Sequence, residues 1–394
     1  MRTAIVGGGA AGFFLAVNLK EMIPSMDVVI LERSRQVLAK VLLSGGGRCN
    51  CTNTFRDVRD LSSVYPRGHR LLKRLFKLFD QHSAYQWFEG HGVPLTIQDD
   101  QCVFPAAQDA HAIVNCFLSE ARRQGIEIQT SVKVNSLDQL KDYDYLCVTF
   151  GGQPQTSGFS WLEGHAIEPP VPSLFTLSID DKDLCSLMGT VVEPVTISIP
   201  STKLRADGPL LVTHWGVSGP AVLKLSSYAA RYLADCQYRS SISINWVHSS
   251  DDDVRQTLRR ICCEQPNKQL SSVRPYNLPS RLWSFLLEKT LGTRAHSPWG
   301  SLNQKETNRL VNTLCHDEYI TAGRAPFKDE FVTCGGISLT EINPATLESR
   351  HHPHLYFAGE VLDVDGITGG FNFQAAWTTA YTVAKAISQS ASLV

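Results

Sequence analysis

Apolar and polar residues alternate along the first 150 positions in the manner of strands and helices that follow one another. The apolar run at residues 2–6 predicts a strand, helical spacing covers residues 10–22, and residues 27–31 form a second β-rich run. Helical spacing returns at residues 110–123, and residues 143–150 have the character of a buried strand. Strands that alternate with helices in this order favour βαβ units and a parallel sheet.

The pattern changes at Thr190. Short strand-like runs separated by Pro, Ser and Gly continue to about Val247, and consecutive helical segments follow. Beyond Phe331 strand-like residues return, and helical spacing covers residues 371–387. The chain is therefore expected to have a discontinuous first domain and an insertion with a β part and a helical part. The predicted first domain comprises residues 1–188 and 325–394, and the predicted insertion comprises residues 189–324.

Length and composition restrict the number of domains, the kinds of binding partner and the cellular compartment. A length of 394 residues predicts two or more domains. With 37 basic and 38 acidic residues the net charge is -1, and no Lys/Arg-rich run stands out, so nucleic acid is not expected as a main partner. Eleven cysteines, an odd number placed mostly in apolar segments, favour reduced thiols and a cytoplasmic protein. No apolar stretch is long enough to span a membrane, and glycines interrupt the one that follows Arg2, which excludes a signal peptide.

Residues 7–12, Gly-Gly-Gly-Ala-Ala-Gly, match G-x-G-x-x-G between the first strand and the first helix. A helix N-terminus with exposed N–H groups binds a pyrophosphate, and glycines there allow a tight turn and close approach of the phosphate. Glu32 ends the second strand, where a carboxylate accepts hydrogen bonds from ribose hydroxyls and disfavours NADP. The plainer alternative is a glycine-rich turn with a surface glutamate. The predicted nucleotide contacts are Gly7, Gly9, Ala10, Ala11, Gly12, Glu32 and Arg33.

A second glycine-rich segment, Lys40–Asn50, follows the βαβ unit and contains three consecutive glycines. Because glycine has no side chain, a ligand can contact the backbone directly, so a flat ring could lie against this segment. Lys40 and Arg48 add positive charge beside a pyrophosphate or a reduced flavin. The alternative is a flexible surface loop. The candidate residues are Lys40, Ser44, Gly46, Gly47, Arg48 and Asn50.

The stretch from Lys40 to Asn53, K-x-x-x-S-G-G-G-R-C-N-x-T-N, resembles the BaiN-like (YhiN-type) flavoproteins, a family of NAD(P)/FAD-dependent oxidoreductases. Four further segments share the resemblance, which therefore covers essentially the whole chain: 213–220, 333–337, 359–363 and 369–374. It implies bound FAD. It also implies an α/β fold, in which a two-dinucleotide-type Rossmann FAD domain carries an inserted β-barrel, at about 189–250, and a helical subdomain, at about 251–324.

The resemblance implies further FAD contacts in the later part of the chain. An apolar strand that ends in Gly359-Glu360 is expected to reach the ribityl and phosphate region. Gly370 opens the final helix, whose free N–H groups favour negative charge at the flavin pyrimidine edge. The alternatives are a strand capped by a surface acid and a plain Gly-Gly turn. The implied contacts are Val134, Thr149, Gly151, Gly359, Glu360, Asp363, Gly370, Phe371, Asn372 and Phe373.

Three groups of side chains could carry other chemistry. Cys49 and Cys51 invite a redox pair, but a Cys-x-Cys bridge is strained, so separate thiols are the favoured interpretation. His214 is a candidate proton donor, although a hydrogen-bonded structural histidine is the favoured alternative. Residues 351–354, His-His-Pro-His, lack the separated spacing of a zinc site, so we expect a surface turn and no metal.

These features predict an enzyme that transfers hydride through a flavin. No second G-x-G-x-x-G motif is present for a separate nicotinamide domain, so NADH or NADPH is expected to visit the flavin transiently. The expected substrate is a small organic molecule, and the resemblance implies reduction of conjugated carbon–carbon double bonds. Two alternatives stay open: a flavin oxidase of small amines that uses oxygen, and a flavin-binding protein that acts on RNA.

Overall fold

A computed structural model describes residues 1–324 and 332–392. The chain divides into two compact units, of which the first comprises residues 1–172 and 332–394 and the second comprises Ser173–Phe331. The sequence placed the start of the insertion at residue 189, later than this division. The predicted return to the first domain at residue 325 lies outside the described residues.

The strands and helices are numbered in chain order. The strands are β1 Arg2–Val6, β2 Asp27–Glu32, β3 Thr52–Asn53, β4 Leu95–Ile97, β5 Cys102–Pro105, β6 Glu127–Thr130, β7 Tyr145–Val148, β8 Ile167–Ser173, β9 Leu177–Ile179, β10 Val191–Ser198, β11 Arg205–Thr213, β12 Gly216–Ser218, β13 Ser241–Asn245, β14 Asp317–Arg324, β15 Val332–Ile337 and β16 Leu355–Phe357. The α-helices are α1 Ala10–Met22, α2 Ala39–Gly47, α3 His69–Leu75, α4 Gln81–Gly90, α5 His111–Arg123, α6 Lys182–Cys185, α7 Pro220–Tyr228, α8 Ala230–Asp235, α9 Asp251–Glu264, α10 Ser280–Leu291, α11 Gln304–Cys315 and α12 Phe371–Ala391.

A five-stranded parallel sheet organises the first unit, with the strand order β16-β7-β1-β2-β6. Helices α1 and α12 pack against each other, and their interface is built on aromatic rings. Phe14, Phe88, Phe117 and Trp377 are all fully buried and touch one another. Because all the strands run the same way, their carboxyl ends meet at one edge of the sheet, and this edge receives the glycine-rich turns.

A closed six-stranded antiparallel barrel forms the β part of the second unit, in the order β10-β11-β12-β9-β14-β13. The barrel differs from the predicted one at 189–250 because β9 precedes that range and β14 follows the helices. Residues 317–324 were assigned to the helical part, but Asp317, Tyr319 and Thr321 are buried at alternate positions, which is the pattern of a strand. Helices α9, α10 and α11 supply the helical part.

None of the helices in the described part of the chain is both long and apolar enough to cross a membrane.

His91 links three helices of the first unit through charge. Its Nε2 lies 2.8 Å from Glu21 on α1, its Nδ1 lies 2.6 Å from the Trp87 carbonyl, and Glu120 on α5 lies nearby. Burial opposes protonation, but the hydrogen bonds to Glu21 and Trp87 and the charges of both glutamates outweigh it and raise the pKa of His91 above 6.5. Folding therefore favours the protonated form of His91, in which both ring nitrogens can donate to these acceptors.

We expect this arrangement to make stability depend on pH. Because the folded-state pKa of His91 is raised, its contribution is complete below the unfolded value of 6.5 and is lost as the pH rises through the folded-state pKa. His91→Gln should thus lower the free energy of unfolding, by about 1 kcal/mol or less, in weakly acidic but not in mildly alkaline buffer. Urea titrations at the two pH values measure this difference. The exposed His82→Gln is the control, and an equal cost of His91→Gln at both pH values would contradict the expectation.

Candidate functional site

Four turns meet at the carboxyl edge of the parallel sheet. Gly7 follows β1, Glu32 ends β2, Thr149 follows β7 and Gly359 follows β16. The Thr149 hydroxyl donates to the Gly7 carbonyl at 2.9 Å. A Cβ on Gly7 would lie 2.5 Å from backbone atoms of Phe150, and a Cβ on Gly359 would lie 2.8 Å from that of Ala11. The turns therefore pack at distances that only glycine permits.

The first turn of α1 is open to a ligand. Gly9 is its N-cap and supplies no side-chain hydrogen bond, and a Cβ built on Gly9 meets no atom within 4 Å. Gly12, one turn later, has the opposite environment, since its Cβ would lie 2.0 Å from the Gly7 carbonyl oxygen. Gly12 thus serves packing, whereas Gly9, Ala10 and Ala11 present backbone N–H groups that suit a diphosphate.

Glu32 is held beside this turn by two backbone hydrogen bonds. One carboxylate oxygen accepts from the Gly8 N–H and the other from the Ser34 N–H, both at 2.8 Å. Each oxygen keeps a lone pair for a ribose hydroxyl. Arg33 points elsewhere, because its guanidinium donates to Gln153 at 3.3 Å.

Val134 belongs to the apolar cluster under the end of β2. It is half-buried and packs with Ala4, Val6, Val29 and Leu31. The extended chain before it is bound to the same strand, since the Val132 N–H donates to the Glu32 carbonyl at 2.9 Å. An apolar wall beside Glu32 is an environment that suits an adenine ring.

The segment from Lys40 to Asn50 begins as a helix and then opens. Ser44 turns to an extended conformation with ψ 151°, and Gly45 and Gly46 follow with φ 57° and 68°, in the left-handed region. A Cβ on Gly46 or Gly47 would meet no atom within 4 Å, so this backbone is accessible. The Arg48 guanidinium lies over the Phe104 ring at 4.3 Å. The accessible glycines offer a flat surface next to a cation.

Lys40 and Glu360 form an ion pair with each other. The Lys40 ammonium lies 2.9 Å from one Glu360 oxygen, and the other oxygen accepts from the Thr333 N–H at 2.7 Å. Gly151 adjoins this carboxylate, since its Cβ would lie 3.6 Å from Glu360. Asp363 uses its backbone N–H on the Ile337 carbonyl at 3.0 Å. These residues fix the loop that follows β16.

The N-terminus of α12 is packed against the glycine segment. Gly370, its N-cap, has φ 87° and no side-chain cap, and a Cβ there would lie 2.2 Å from the Thr52 carbonyl oxygen. The Asn50 side chain bridges the two parts when its amide donates to the Thr52 carbonyl at 2.9 Å and accepts from the Gly370 N–H at 3.2 Å. Residues 50–52 are thus packed and hydrogen-bonded against the start of α12.

The three residues after Gly370 turn toward the protein. Phe371 is buried, and its carbonyl accepts from the Tyr65 hydroxyl at 2.8 Å. The Asn372 amide is occupied by both backbone groups of Gly366, at 2.8 and 2.9 Å. Phe373 stacks on Trp377 with ring centroids 5.5 Å apart. The Phe371 side chain is therefore closed to a ligand, whereas Asn372 and Phe373 are half-buried.

Comparison with known proteins finds one family whose model matches nearly the whole chain. The family model described as the HI0933-like protein Rossmann domain matches residues 1–386. The chain belongs to the HI0933-like family. It is accordingly an FAD-dependent oxidoreductase, and its Rossmann-like sheet with a separate β-barrel agrees with the fold that the sequence resemblance implied.

Named relatives of this HI0933-like protein include two kinds of enzyme. A 3-dehydro-bile acid delta(4,6)-reductase of Clostridium scindens is 26% identical, with 98% of this chain and 99% of the relative covered. A ribosomal RNA dihydrouridine synthase of Haemophilus influenzae is 29% identical, with 98% of each chain covered. Among solved structures, a 3-ketosteroid delta1-dehydrogenase of Sterolibacterium denitrificans aligns at 9% identity and a TM-score of 0.48, covering 98% of this chain and 99% of the other, which carries no weight for function.

The structure of this HI0933-like protein itself fits FAD at the carboxyl edge of the sheet. The accessible backbone at Gly9, Gly46 and Gly47 leaves room where a side chain would otherwise stand. Both α1 and α12 begin without a side-chain cap, so their N-terminal N–H groups can bind anionic groups. Glu32 would hold the ribose, the first turn of α1 the diphosphate, and the start of α12 the pyrimidine edge of the ring.

Removing the Glu32 carboxylate should weaken flavin retention. Glu32→Ala deletes the predicted ribose acceptor and also frees the Gly8 and Ser34 N–H groups, so we expect at least a tenfold higher Kd for FAD, or about 1.4 kcal/mol. Flavin absorbance per purified chain measures the loss. Glu127→Ala, an exposed acid on β6, is the control. Full flavin occupancy in Glu32→Ala would contradict the ribose assignment.

Two cysteines near the glycine segment are separate, buried thiols. Cys49 and Cys51 are fully buried and not joined in a disulfide. Burial raises the pKa of Cys49 to about 12 and also raises the pKa of Cys51. A redox pair needs an accessible thiolate, which these positions do not provide.

His214 and the histidines of residues 351–354 have different surroundings. His214 is exposed in the two-residue turn between β11 and β12, where its ring contacts Trp215 with centroids 4.4 Å apart. A proton-donor role for it stays a prediction. Residues 351–354 form a turn on the first unit, in which His351 pairs with Glu341 and His352 lies near the buried His165.

Sequence reasoning missed a buried ion pair beside the start of α12. Arg67 and Asp365 are bound to each other, with 11% and 0% of their side chains exposed. Asp365 lies in the loop that leads to Gly370, so the pair fixes that loop. The two residues are 298 positions apart, and neither belongs to a motif, so no pattern in one sequence could have joined them.

Proposed function

We propose that this HI0933-like flavoprotein reduces a carbon–carbon double bond conjugated to a carbonyl group, with NADH or NADPH as the hydride source. The observation that carries the proposal is the glycine-lined carboxyl edge of the sheet, with two uncapped helix N-termini and an anchored acid, which suits FAD. When bound, FAD supplies the capacity to accept a hydride from a reduced nicotinamide and to deliver it to the substrate.

The proposed reaction balances without a further oxidant or reductant. The reduced nicotinamide loses a hydride and becomes NAD⁺ or NADP⁺. The β-carbon of the conjugated system gains that hydride, the α-carbon gains a proton, and the double bond becomes single. Conjugation with the carbonyl matters because the negative charge that develops on hydride addition moves to the carbonyl oxygen.

The names of the relatives support this reaction class. A delta(4,6)-reductase of a 3-dehydro-bile acid and a dihydrouridine synthase act on very different molecules. Both remove a double bond that is conjugated to a carbonyl, in a steroid ring in one case and in uracil in the other. A shared protein scaffold with a shared cofactor therefore suits one chemistry applied to different substrates.

The residues of this chain are proposed to position and shield the reactants. Glu32 and the first turn of α1 would bind the nucleotide half of FAD, and the exposed backbone of Gly46 and Gly47 would contact the isoalloxazine half. The N–H groups at the start of α12 would favour extra negative charge on the ring. Arg48, held over Phe104, adds a cation at the edge of the same glycine segment.

A reducing compartment such as the cytoplasm is part of the proposal. No disulfide joins any of the cysteines, all of which lie in the described residues. Buried thiols with raised pKa values, such as those of Cys49 and Cys147, persist most easily where thiols stay reduced.

Anaerobic mixing of the purified protein with NADPH or NADH tests the hydride source. We expect the flavin absorbance to bleach, and to recover when an α,β-unsaturated ketone is added. Gly9→Ala serves as the flavin-poor control. Lack of bleaching by either nucleotide at millimolar concentration, or peroxide formation from a small amine without any nucleotide, would overturn the proposal in favour of an oxidase.

A further inference from the structure

We propose that the exposed face of α3 and the turn after it docks the phosphate backbone of an RNA. The face consists of Arg70, Lys73, Arg74 and Lys77, and we call it the α3 basic face. All four side chains are exposed. Their spacing of three, four and seven positions places them on one side of a helix. The inference rests on the proposed function, because it names the carrier of the double bond as a base in a nucleic acid.

The backbone holds these cations on one continuous spiral. Helix α3 ends at Leu75, but the Phe76 N–H still donates to the Leu72 carbonyl at 2.8 Å and the Phe79 N–H to the Leu75 carbonyl at 3.1 Å. Lys77 therefore continues the helical path. On the opposite side Leu71, Leu72 and Leu75 are buried, which fixes the direction in which the cations point.

The charge around α3 differs from that of the chain as a whole. Residues 54–82 contain seven Lys or Arg and three Asp, an excess of four positive charges in a chain whose net charge is -1. In the part of the chain that the structure describes, none of the four cations of the face forms an ion pair. The expectation that nucleic acid is not a partner rested on the balanced total charge and on the lack of a continuous Lys/Arg-rich run, and neither measure detects cations that are spaced along one face of a helix.

The α3 basic face is attached to the loop that precedes α12. Gly68, the N-cap of α3, approaches Val364 so closely that a Cβ would lie 2.5 Å from it. Arg67, one residue earlier, is paired with the buried Asp365. The Tyr65 hydroxyl donates to the Phe371 carbonyl at 2.8 Å. A chain bound on this face is therefore held at a fixed place relative to the start of α12.

The chemistry of the face favours a polyphosphate chain over a lipid surface. A helix that binds a membrane inserts an apolar side between the lipids, but the apolar side of α3 is already buried in the protein. None of the exposed large hydrophobic residues of the described chain lies on α3. Several unpaired cations in a row match the repeated charges of a nucleic acid backbone. Uracil in such a chain carries a double bond conjugated to a carbonyl.

Fluorescence anisotropy with a labelled single-stranded oligouridine, at several salt concentrations, tests the proposal. We expect wild-type binding to weaken steeply as salt rises. The variant Lys73→Gln/Arg74→Gln/Lys77→Gln should bind at least about tenfold more weakly, and its plot of log Kd against log salt should be less steep by roughly two, since each phosphate contact on a single strand contributes about 0.7. Lys73→Arg/Lys77→Arg should keep the affinity.

The matched control is Lys268→Gln/Lys305→Gln/Arg309→Gln, which removes the same charges from exposed positions of the second unit. It should retain wild-type affinity and salt dependence. Absence of salt-sensitive RNA binding in the wild type, equal losses in both triple variants, or binding only to phosphatidylserine vesicles would overturn the proposal. Flavin bleaching by NADPH is measured on the same preparations, so a failure of the reductase proposal is seen separately from a failure of RNA docking.

Discussion

Gly9→Ala is expected to fold normally and yet to lose most of its flavin. The backbone of Gly9, with φ -93° and ψ -167°, suits alanine, and the new methyl group would meet no protein atom within 4 Å. The space that it fills is the space assigned to the FAD diphosphate. A steric conflict of about 1–3 kcal/mol there would raise the Kd for FAD between roughly fivefold and more than a hundredfold.

Two further glycines make this prediction specific. Gly90→Ala, in α4, also places its Cβ in open space, and it should change neither stability nor flavin content. Gly12→Ala should unfold the turn itself, because its Cβ would lie 2.0 Å from the Gly7 carbonyl oxygen. Thermal unfolding of the flavin-free proteins and flavin absorbance per chain separate the three cases. Full flavin content in the Gly9→Ala protein would contradict the assignment of the FAD diphosphate to this turn.

Asp365→Asn is expected to destabilise the first unit strongly. It would leave the guanidinium of Arg67, only 11% exposed, without its buried carboxylate partner. Breaking a buried pair in this way costs about 3–5 kcal/mol. Urea unfolding of the flavin-free protein, followed by tryptophan fluorescence, measures the cost.

Removing both charges together should cost less than removing one. Arg67→Met/Asp365→Leu replaces the pair with apolar side chains and leaves no buried charge behind. Asp57→Asn breaks the exposed pair with Arg56, whose side chains are 70% and 71% exposed, and should change stability by less than about 0.5 kcal/mol. A cost of Asp365→Asn as small as that of Asp57→Asn would show that the buried pair does not hold the loop.

The sequence predicted the elements whose signals are local. Helix α1 spans residues 10–22, as its apolar spacing indicated, because eight side chains and Gly12 are buried along it. The final helix begins at Phe371, as predicted after Gly370, since an N-cap glycine with φ 87° leaves a clear break in the pattern. The extended strands at the start of the chain are likewise set by short apolar runs.

Contacts between distant segments escaped the sequence analysis. The barrel closes by pairing β9 with β14, which lie far apart in the chain on either side of the helices. The side chains of Lys40 and Glu360, both proposed as separate FAD contacts, bind each other. A single sequence shows which residues have suitable chemistry. Contacts between residues that meet only in the folded chain have no local sequence pattern, so they could not be predicted.

The proposed flavin site requires that FAD lie along the carboxyl edge of the sheet, with its AMP half on α1 and Glu32. The most direct measurement is titration of the flavin-free protein with FAD and with FMN, which lacks the AMP half, followed by quenching of flavin fluorescence. We predict that FAD binds at least about a hundredfold more tightly than FMN, since two or more hydrogen bonds to charged groups are gained. Equal affinity for FMN, or no binding of FAD, would contradict this placement of the cofactor.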